Sequence, residues 1–134
     1  MKTLLIILHL IFSFSCFSQN DTINFPSGDR YIGELKDEIP NGFGRMLWLN
    51  GAYYEGNWKA NLQHGQGTMQ WSTGEIYKGK WKNGIQNGHG SMRWLNGDLY
   101  IGKFKNGLLH GRGKLIYADG NSLKTKWKNN IPKK

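Results

Sequence analysis

The sequence predicts an all-β protein, an elongated, twisted antiparallel sheet built from successive β-hairpins. One 23-residue pattern recurs along most of the chain, which is typical of a repeat array. Within each unit the distinctive residues fall at alternate positions, the period of a strand with one special face. Trp, Tyr and Phe number six each, and this aromatic content argues against a disordered chain.

The repeat becomes visible when each unit is counted from its first glycine, as position 1. All 19 glycines then fall at positions 1, 6, 11, 15 or 17, and the six tryptophans fall only at positions 8 and 21. No gap is needed. Units of this kind contact mainly their neighbours, so stability accumulates along the row. The units are 28–50, 51–73, 74–96, 97–119 and a partial fifth unit, 120–134.

Each unit is expected to supply two strands. In the second unit, Tyr54–Trp58 places special residues at positions 4, 6 and 8, and Gly67–Trp71 places them at positions 17, 19 and 21. Positions 10 to 13 carry turn-forming residues such as Asn83, Gly84 and Pro40, so this segment is predicted to be a loop. The segment His64–Gly67 is predicted to be a tight re-entry into the second strand.

The turn between units can be predicted from where the rings must lie. A two-residue loop at Asn50 and Gly51 would place Tyr54 and Trp48 on opposite faces of the sheet. A type I turn followed by Gly51 in a left-handed bulge places Tyr54 opposite Met46 and brings all the rings to one face. The bulged turn is therefore expected.

Glycines at positions 6 and 17 have no side chain and leave room for rings to lie flat across neighbouring strands. Rings that cover glycine in this way offset its weakness in a strand. Since a single sheet has no second layer, this ring face is expected to form a shallow aromatic groove. The residues assigned to the groove are Tyr31, Trp48, Tyr54, Trp58, Trp71, Tyr77, Trp81, Trp94, Tyr100, Phe104 and Tyr117.

The pattern Tyr-x-Gly-x-Trp followed by Gly-x-Gly resembles the MORN (membrane occupation and recognition nexus) repeat. The resemblance covers residues 28–134 and implies a hairpin array whose groove binds a partner peptide or a second copy of the protein. Leu35 departs from it, as do Leu123 and Thr125, so the last unit is expected to act as a cap. The motif is carried by Tyr31-x-Gly33, Tyr54-x-Gly56-x-Trp58, Tyr77-x-Gly79-x-Trp81 and Tyr100-x-Gly102-x-Phe104.

Catalytic residue patterns are lacking in the sequence. The carboxylates are single and scattered, whereas general acid–base or nucleophilic catalysis needs a pair of carboxylates or a nucleophile with a base. His64 and His110 share position 14, but no Cys or carboxylate accompanies them as a metal site requires. We therefore expect a protein that is not an enzyme and has no cofactor or metal.

Charge is distributed unevenly along the chain. Residues 19–73 hold four basic and six acidic side chains, whereas residues 74–134 hold 13 basic and three acidic ones. Positions 5, 7 and 9 lie opposite the rings, so their lysines predict a basic face for docking to an anionic surface; a solubilising role is the alternative. The residues assigned to the basic face are Lys78, Lys80, Lys82, Arg93, Lys103, Lys105, Lys114, Lys124, Lys126 and Lys128.

These surfaces predict a binding or scaffold module. Protein–protein contact or self-association through the aromatic groove is the leading expectation. Peripheral attachment to anionic membrane lipid through the basic face and glycan binding by the rings are the alternatives. Sequence-specific nucleic acid is not expected as a partner, although basic charge alone gives salt-sensitive non-specific binding.

The N-terminus predicts export. Lys2 precedes an apolar run, Leu4–Phe14, that is too short to span a bilayer and is typical of a secretory signal peptide. The predicted organisation is a signal peptide over 1–18, a lead-in over 19–27 and the repeat domain over 28–134. The protein would then be periplasmic, envelope-associated or extracellular. Lipoprotein processing at Cys16 is the alternative, which Ser13 and Phe14 disfavour.

Export of the full chain should yield a product that begins at Gln19. The expected result is an intact mass equal to residues 19–134, measured by mass spectrometry on the exported fraction. A product that begins at Cys16 and carries the added mass of acyl chains would show lipoprotein processing instead.

Overall fold

The computed structural model describes residues 21–133, and the predicted signal peptide lies outside them. These residues form one open antiparallel sheet in which each strand pairs with its neighbours in sequence. The predicted all-β hairpin array is therefore confirmed. The strands are β1 Asp21–Asn24, β2 Arg30–Lys36, β3 Ile39–Leu47, β4 Tyr53–Lys59, β5 Leu62–Gln70, β6 Ile76–Lys82, β7 Ile85–Arg93, β8 Leu99–Lys105, β9 Leu108–Ile116, β10 Ser122–Lys128 and β11 Ile131–Pro132.

The turn between units has the predicted bulged form. Gly51 has a φ of 90° and its N–H donates to the Trp48 carbonyl at 3.0 Å. The Trp48 N–H donates to the Ala52 carbonyl, also at 3.0 Å. Met46 is then paired with Tyr54 across the ladder, so the prediction for this turn is confirmed. Within residues 21–133 no helix has the length and apolarity needed to cross a membrane.

The loop inside each unit is shorter than predicted. Lys82 pairs directly with Ile85, which leaves Asn83 and Gly84 as a two-residue turn with φ values of 50° and 81°. Positive φ at both residues is the type I′ turn, whose twist matches that of the flanking strands. The second strand therefore begins at position 12, and Pro40, which was predicted to lie in the loop, lies within β3.

The segment His64–Gly67 was predicted to lead into the second strand, but it lies inside β5. Gly56 pairs with Gly67 and Trp58 pairs with Gln63, so three residues on β5 oppose a single residue on β4. Gly65 has a φ of 62° at the centre of this bulge. The position-15 glycine therefore provides a bulge, which increases the local twist of the strands.

Each complete unit buries one tyrosine against its own glycine pair. Tyr54 is 0% exposed, and its hydroxyl donates to the Asn57 carbonyl at 2.9 Å. A Cβ placed on Gly67 would overlap the Tyr54 hydroxyl and ring. The glycine therefore leaves the space that the ring fills, as the sequence predicted. The same burial and the same bond to the residue three places on are found for Tyr31, Tyr77 and Tyr100.

The ring at position 8 joins one unit to the next. The Trp58 indole Nε1 donates to the Gly44 carbonyl of the preceding unit at 3.1 Å. The ring meets Tyr31 of that unit and Tyr54 of its own unit edge to face, with centroids 5.5 and 5.0 Å apart. Pairs of this geometry contribute about 0.5–1.5 kcal/mol beyond area burial. The resulting aromatic ladder runs Tyr31, Trp58, Tyr54, Trp81, Tyr77, Phe104, Tyr100, Trp127.

We expect a single methyl group added within the aromatic ladder to lower the stability of the protein strongly. Gly67→Ala should lower the free energy of unfolding by about 3 kcal/mol, because the new Cβ overlaps Tyr54 in a packed core. Gly51→Asn is the matched control, since nothing lies within 4 Å of a Cβ there and Asn tolerates positive φ. Urea denaturation measures both variants, and equal stabilities would contradict the packing role of Gly67.

Burial also gives the ladder a pH dependence. It raises the pKa of the Tyr31 hydroxyl to about 12, and the nearby Glu34 carboxylate acts in the same direction. Burial raises the pKa of Tyr54, Tyr77 and Tyr100 as well. Unfolded tyrosine has a pKa of about 10. Between pH 10 and 12 the unfolded chain therefore loses protons that the folded chain retains, and this favours unfolding.

The free energy of unfolding should fall as pH rises from 9 to 12. Urea denaturation at about 1 M salt measures it, since salt screens the lysines that lose their charge in the same range. Tyr54→Phe is the control. It should cost about 1 kcal/mol at neutral pH through the lost hydrogen bond and then show a shallower alkaline fall. Equal slopes for the two proteins would contradict the assignment to tyrosine.

Candidate binding surfaces

The eleven rings assigned to the groove divide into two groups by burial. Seven of them are between 0% and 6% exposed. A partner cannot reach these rings in this conformation, because they are covered by one another in the aromatic ladder. They form the core of the protein: Tyr31, Tyr54, Trp58, Tyr77, Trp81, Tyr100 and Phe104.

The other four rings, all at position 21, keep accessible surface. Trp48, Trp71 and Trp94 are half-buried, and Tyr117 is 38% exposed. The leucines at position 22 add to this surface, with Leu49 75% and Leu95 66% exposed. These residues lie at the start of the turns that connect the units. We call them the turn-edge strip: Trp48, Leu49, Trp71, Trp94, Leu95 and Tyr117. Its binding role stays a prediction.

The ten residues of the predicted basic face are all exposed and lie on the side of the sheet opposite the rings. The strand register explains this, because residues next to a ring-face residue in a strand point the other way. Arg93 and Lys114 come from second strands and join the lysines of the first strands. The register therefore brings all ten together on one face.

Two rows of side chains cross this face. In the first, Lys78 pairs with Ser91, and Ile101 lies between Ser91 and Lys114. The second row is more basic, because five consecutive strands, β6 to β10, contribute Lys80, His89, Lys103, Arg112 and Lys126. Neighbouring strands lie about 4.8 Å apart, so this row is about 19 Å long.

Arg112 is an exposed member of the basic face that the sequence analysis missed. It is paired with Lys126 across the ladder between β9 and β10. Positions 14 to 17, here His110–Gly113, were predicted to be the re-entry into the second strand, so position 16 was not assigned to a face. The signal in the sequence that could have identified Arg112 is its repeat position, 16, which it shares with Phe43, Gln66 and His89.

Shallow depressions lie on the basic face between these rows. One of about 410 Å³ is lined by Ile101, Gly113 and Thr125 together with four cationic side chains, those of Arg112, Lys114, Lys124 and Lys126. A second, of about 370 Å³, lies next to it between Gln66 and Gly102. Neither is lined by a ring of the aromatic set, because the rings fill the space on their own side.

Carboxylates are absent from the part of the basic face formed by β6–β10. Glu75, Asp98 and Asp119 of this half lie in the turns, where their carboxylates accept hydrogen bonds from Thr73, Ala118 and Asn121. The Thr73 hydroxyl, for example, lowers the pKa of Glu75. Arg45 and Glu55 form the only ion pair found in residues 21–133, and it lies in the other half. The cations of β6–β10 are therefore not neutralised by neighbouring side chains.

The histidines do not assemble into a metal site. Within the described part of the chain no group of three or more His, Cys, Asp or Glu side chains lies close enough together to hold a metal ion. The Nδ1 atoms of His64 and His110 are buried without a hydrogen-bond partner. That the protein uses no metal or cofactor stays a prediction.

Comparison with known proteins identifies the repeat. The family model described as the MORN repeat matches four consecutive segments, residues 31–53, 54–76, 77–99 and 100–122. These frames begin at the tyrosine, three residues after the glycine used above, and have the same period. None of the curated proteins matches the chain. Because the family model covers most of the chain and the hairpin array agrees with it, this protein belongs to the MORN repeat family.

Proposed function

We propose that this MORN protein is a binding module that attaches to an anionic lipid surface through its basic face. MORN repeats are consistent with a binding or scaffold role, and the family is generally non-catalytic. The proposal places the main contact on the face opposite the rings. Seven of the eleven rings are buried in the ladder, which leaves the aromatic groove too little accessible surface to be the first choice.

One observation carries the proposal: β6 to β10 present eleven exposed Lys and Arg side chains on one face with no carboxylate among them. Each Lys or Arg near an anionic membrane contributes about 1 kcal/mol, and the attraction decays within a Debye length. Several of these side chains can approach a surface together, because alternate strands present them about 10 Å apart. Apolar side chains such as Ile101, 50% exposed, lie among them.

A second candidate function is protein–protein contact through the turn-edge strip. The exposure of Leu49 and Leu95 favours it, since large apolar side chains at such exposure beside tryptophan are typical of contact sites. Glycan binding would use the same half-buried rings. These readings predict binding that persists at high salt, because they depend on apolar contact rather than on charge.

We further infer that the protein is exported, so that the lipid it meets belongs to the cell envelope. This rests on the N-terminal segment, residues 1–18, and is tested separately by the mass of the exported product. Attachment to lipid does not depend on it, because the basic face lies wholly within the repeat array.

Vesicle sedimentation tests the attachment. The full chain should bind vesicles that contain about 30% phosphatidylglycerol and should not bind pure phosphatidylcholine. Replacing Lys78, Lys80 and Lys82 by Glu should weaken binding by at least about 100-fold, as expected from the loss of three contacts of about 1 kcal/mol each. Raising salt from 0.05 to 0.5 M should release the protein.

The matched control replaces Trp71 and Trp94 by Ala, which alters the turn-edge strip and leaves the basic face intact. This variant should bind the anionic vesicles as the parent does. Equal binding to neutral vesicles, or a loss of binding in the tryptophan variant and not in the lysine variant, would contradict attachment through the basic face and would favour the second candidate.

A further inference from the structure

The N-terminal strand belongs to a repeat unit of its own. Counted backward from Gly28, residues 21–24 of β1 take positions 17 to 20 and Phe25 takes position 21. Ile23 pairs with Tyr31 as Met46 pairs with Tyr54 in the next unit. The turn is the same as well, since the Phe25 N–H donates to the Asp29 carbonyl at 2.9 Å. Strand β1 thus has the position and the pairing of the second strand of a unit.

The C-terminal edge shows the opposite half of a unit. Strand β10 is a first strand, whose Trp127 packs on Tyr100 and donates its indole N–H to the Gly113 carbonyl at 3.3 Å. Its outer edge pairs with β11 only at Trp127 and Lys128. In the part of the chain that the structure describes, no strand covers the outer edge of Ser122–Thr125. These are the residues that would pair with positions 17 to 20.

We propose that a second copy of this chain completes the fifth unit, with its β1 adding to the open edge of β10. The expected register follows the complete units, in which Leu99 pairs with Ile116 and Ile101 with Lys114. Applied to the junction, it pairs Ser122 with Asn24 of the second copy and Lys124 with its Thr22. The two partial units then make one continuous sheet across the two molecules.

The backbone groups at the two edges are complementary. Lys126 accepts the Lys133 N–H at 2.8 Å on its outer side, and backbone groups alternate along a strand. Lys124 and Ser122 therefore also direct their N–H and C=O groups outward. On β1, Thr22 and Asn24 are the residues whose groups point away from β2, by the same alternation. The outward residues of one edge are the partners that the register assigns to the other.

At the junction between two copies, the side chains at three related positions differ from those of the complete units. In complete units, the tyrosine at position 4 requires glycine at positions 6 and 17, because its ring lies over both. The partial units carry Leu123, Thr125 and Asp21 at these three places. The shorter leucine does not reach over the neighbouring strands, so glycine is not required. Leu123 is 36% exposed where the tyrosines are 0% exposed, and Ile23 of the second copy would cover it.

Charge favours head-to-tail contact over contact between like edges. The half that begins with β1 has more acidic than basic side chains, whereas the half that ends with β10 is strongly basic. Lysine on an edge strand often prevents pairing with another chain. Lys124, Lys126 and Lys128 do not indicate that role for β10. The interior strand β6 carries Lys78, Lys80 and Lys82 at the same positions, so these lysines belong to the face.

The contact is heterologous, since it joins two different surfaces. Such contacts generate a ring if the rotation between copies closes and an open filament if it does not. In the sheet formed by residues 21–133, β1 and the uncovered part of β10 lie toward opposite ends, so a molecule joined through one of them can join a further copy through the other. Assembly should therefore continue beyond a dimer.

Thiol cross-linking of two different variants tests the proposal. Asn24→Cys and Ser122→Cys are made separately in the full chain with Cys16→Ser, so that each protein has one thiol. Both sites are exposed, so neither change should unfold the protein. Paired residues in an antiparallel ladder have Cα atoms about 5.5 Å apart, within the range of a disulfide. Under mild oxidation, the mixture should give a disulfide dimer that contains one copy of each variant.

Each variant oxidised alone should give little dimer, because head-to-tail contact keeps identical sites apart. Dimers from a single variant would show pairing of like edges, and no dimer in any arm would show that the edges do not meet. Either outcome overturns the proposal. Peptide mass spectrometry of the cross-linked product identifies the joined residues.

A backbone variant separates assembly from folding. Lys124→Pro removes an outward N–H while the inner ladder to β9 keeps its hydrogen bonds, and proline is tolerated on an edge of this kind. Its circular dichroism should match the parent, and its mass by light scattering should fall at least twofold, to that of the monomer. Lys124→Ala, which keeps the N–H, should still assemble. A monomeric parent, or a proline variant that assembles as the parent does, contradicts the proposal.

Discussion

The structure depends on one contact, the tyrosine ring that lies over two glycines of its own hairpin. Without side chains at those two places, the ring can approach the backbone closely and bond to the carbonyl three residues on. The position-8 ring of the next unit then covers the tyrosine, and where that ring is an indole it donates to a glycine carbonyl beneath. A sheet with no second layer thereby obtains a core from alternating rings on one side. The opposite face, which carries the lysines, contributes little to this core.

Much of this arrangement could be predicted from the sequence, because the repeat supplies four copies of every constraint. The position of Gly51 decided the turn between units, since only one register keeps Tyr54 and Trp48 on one face. Pro40 was misleading: proline suggested a loop, but at this place in the ladder its missing N–H breaks no bond to β2. The bulge at Gly65 was also not foreseen, because a bulge leaves the alternation on either side unchanged.

The candidate surfaces were predicted less completely than the fold. Ring residues could be assigned to a face from their spacing, but their burial depends on how far each ring reaches over its neighbours. Trp58 and Trp71 look alike in the sequence, yet one is enclosed between two tyrosines and the other borders a turn. Arg112 was missed because its segment was predicted to lead into the second strand rather than to lie within it, so its position was not assigned to a face.

The aromatic contacts have a further consequence for the size of the protein. Every ring at position 8 packs on a tyrosine of the unit before it, so the core is shared between neighbouring units. Shortening one unit would therefore expose core residues of its neighbour. Length can change only in whole steps of two strands, or about 10 Å. The number of repeats therefore sets the distance between the two ends of the molecule.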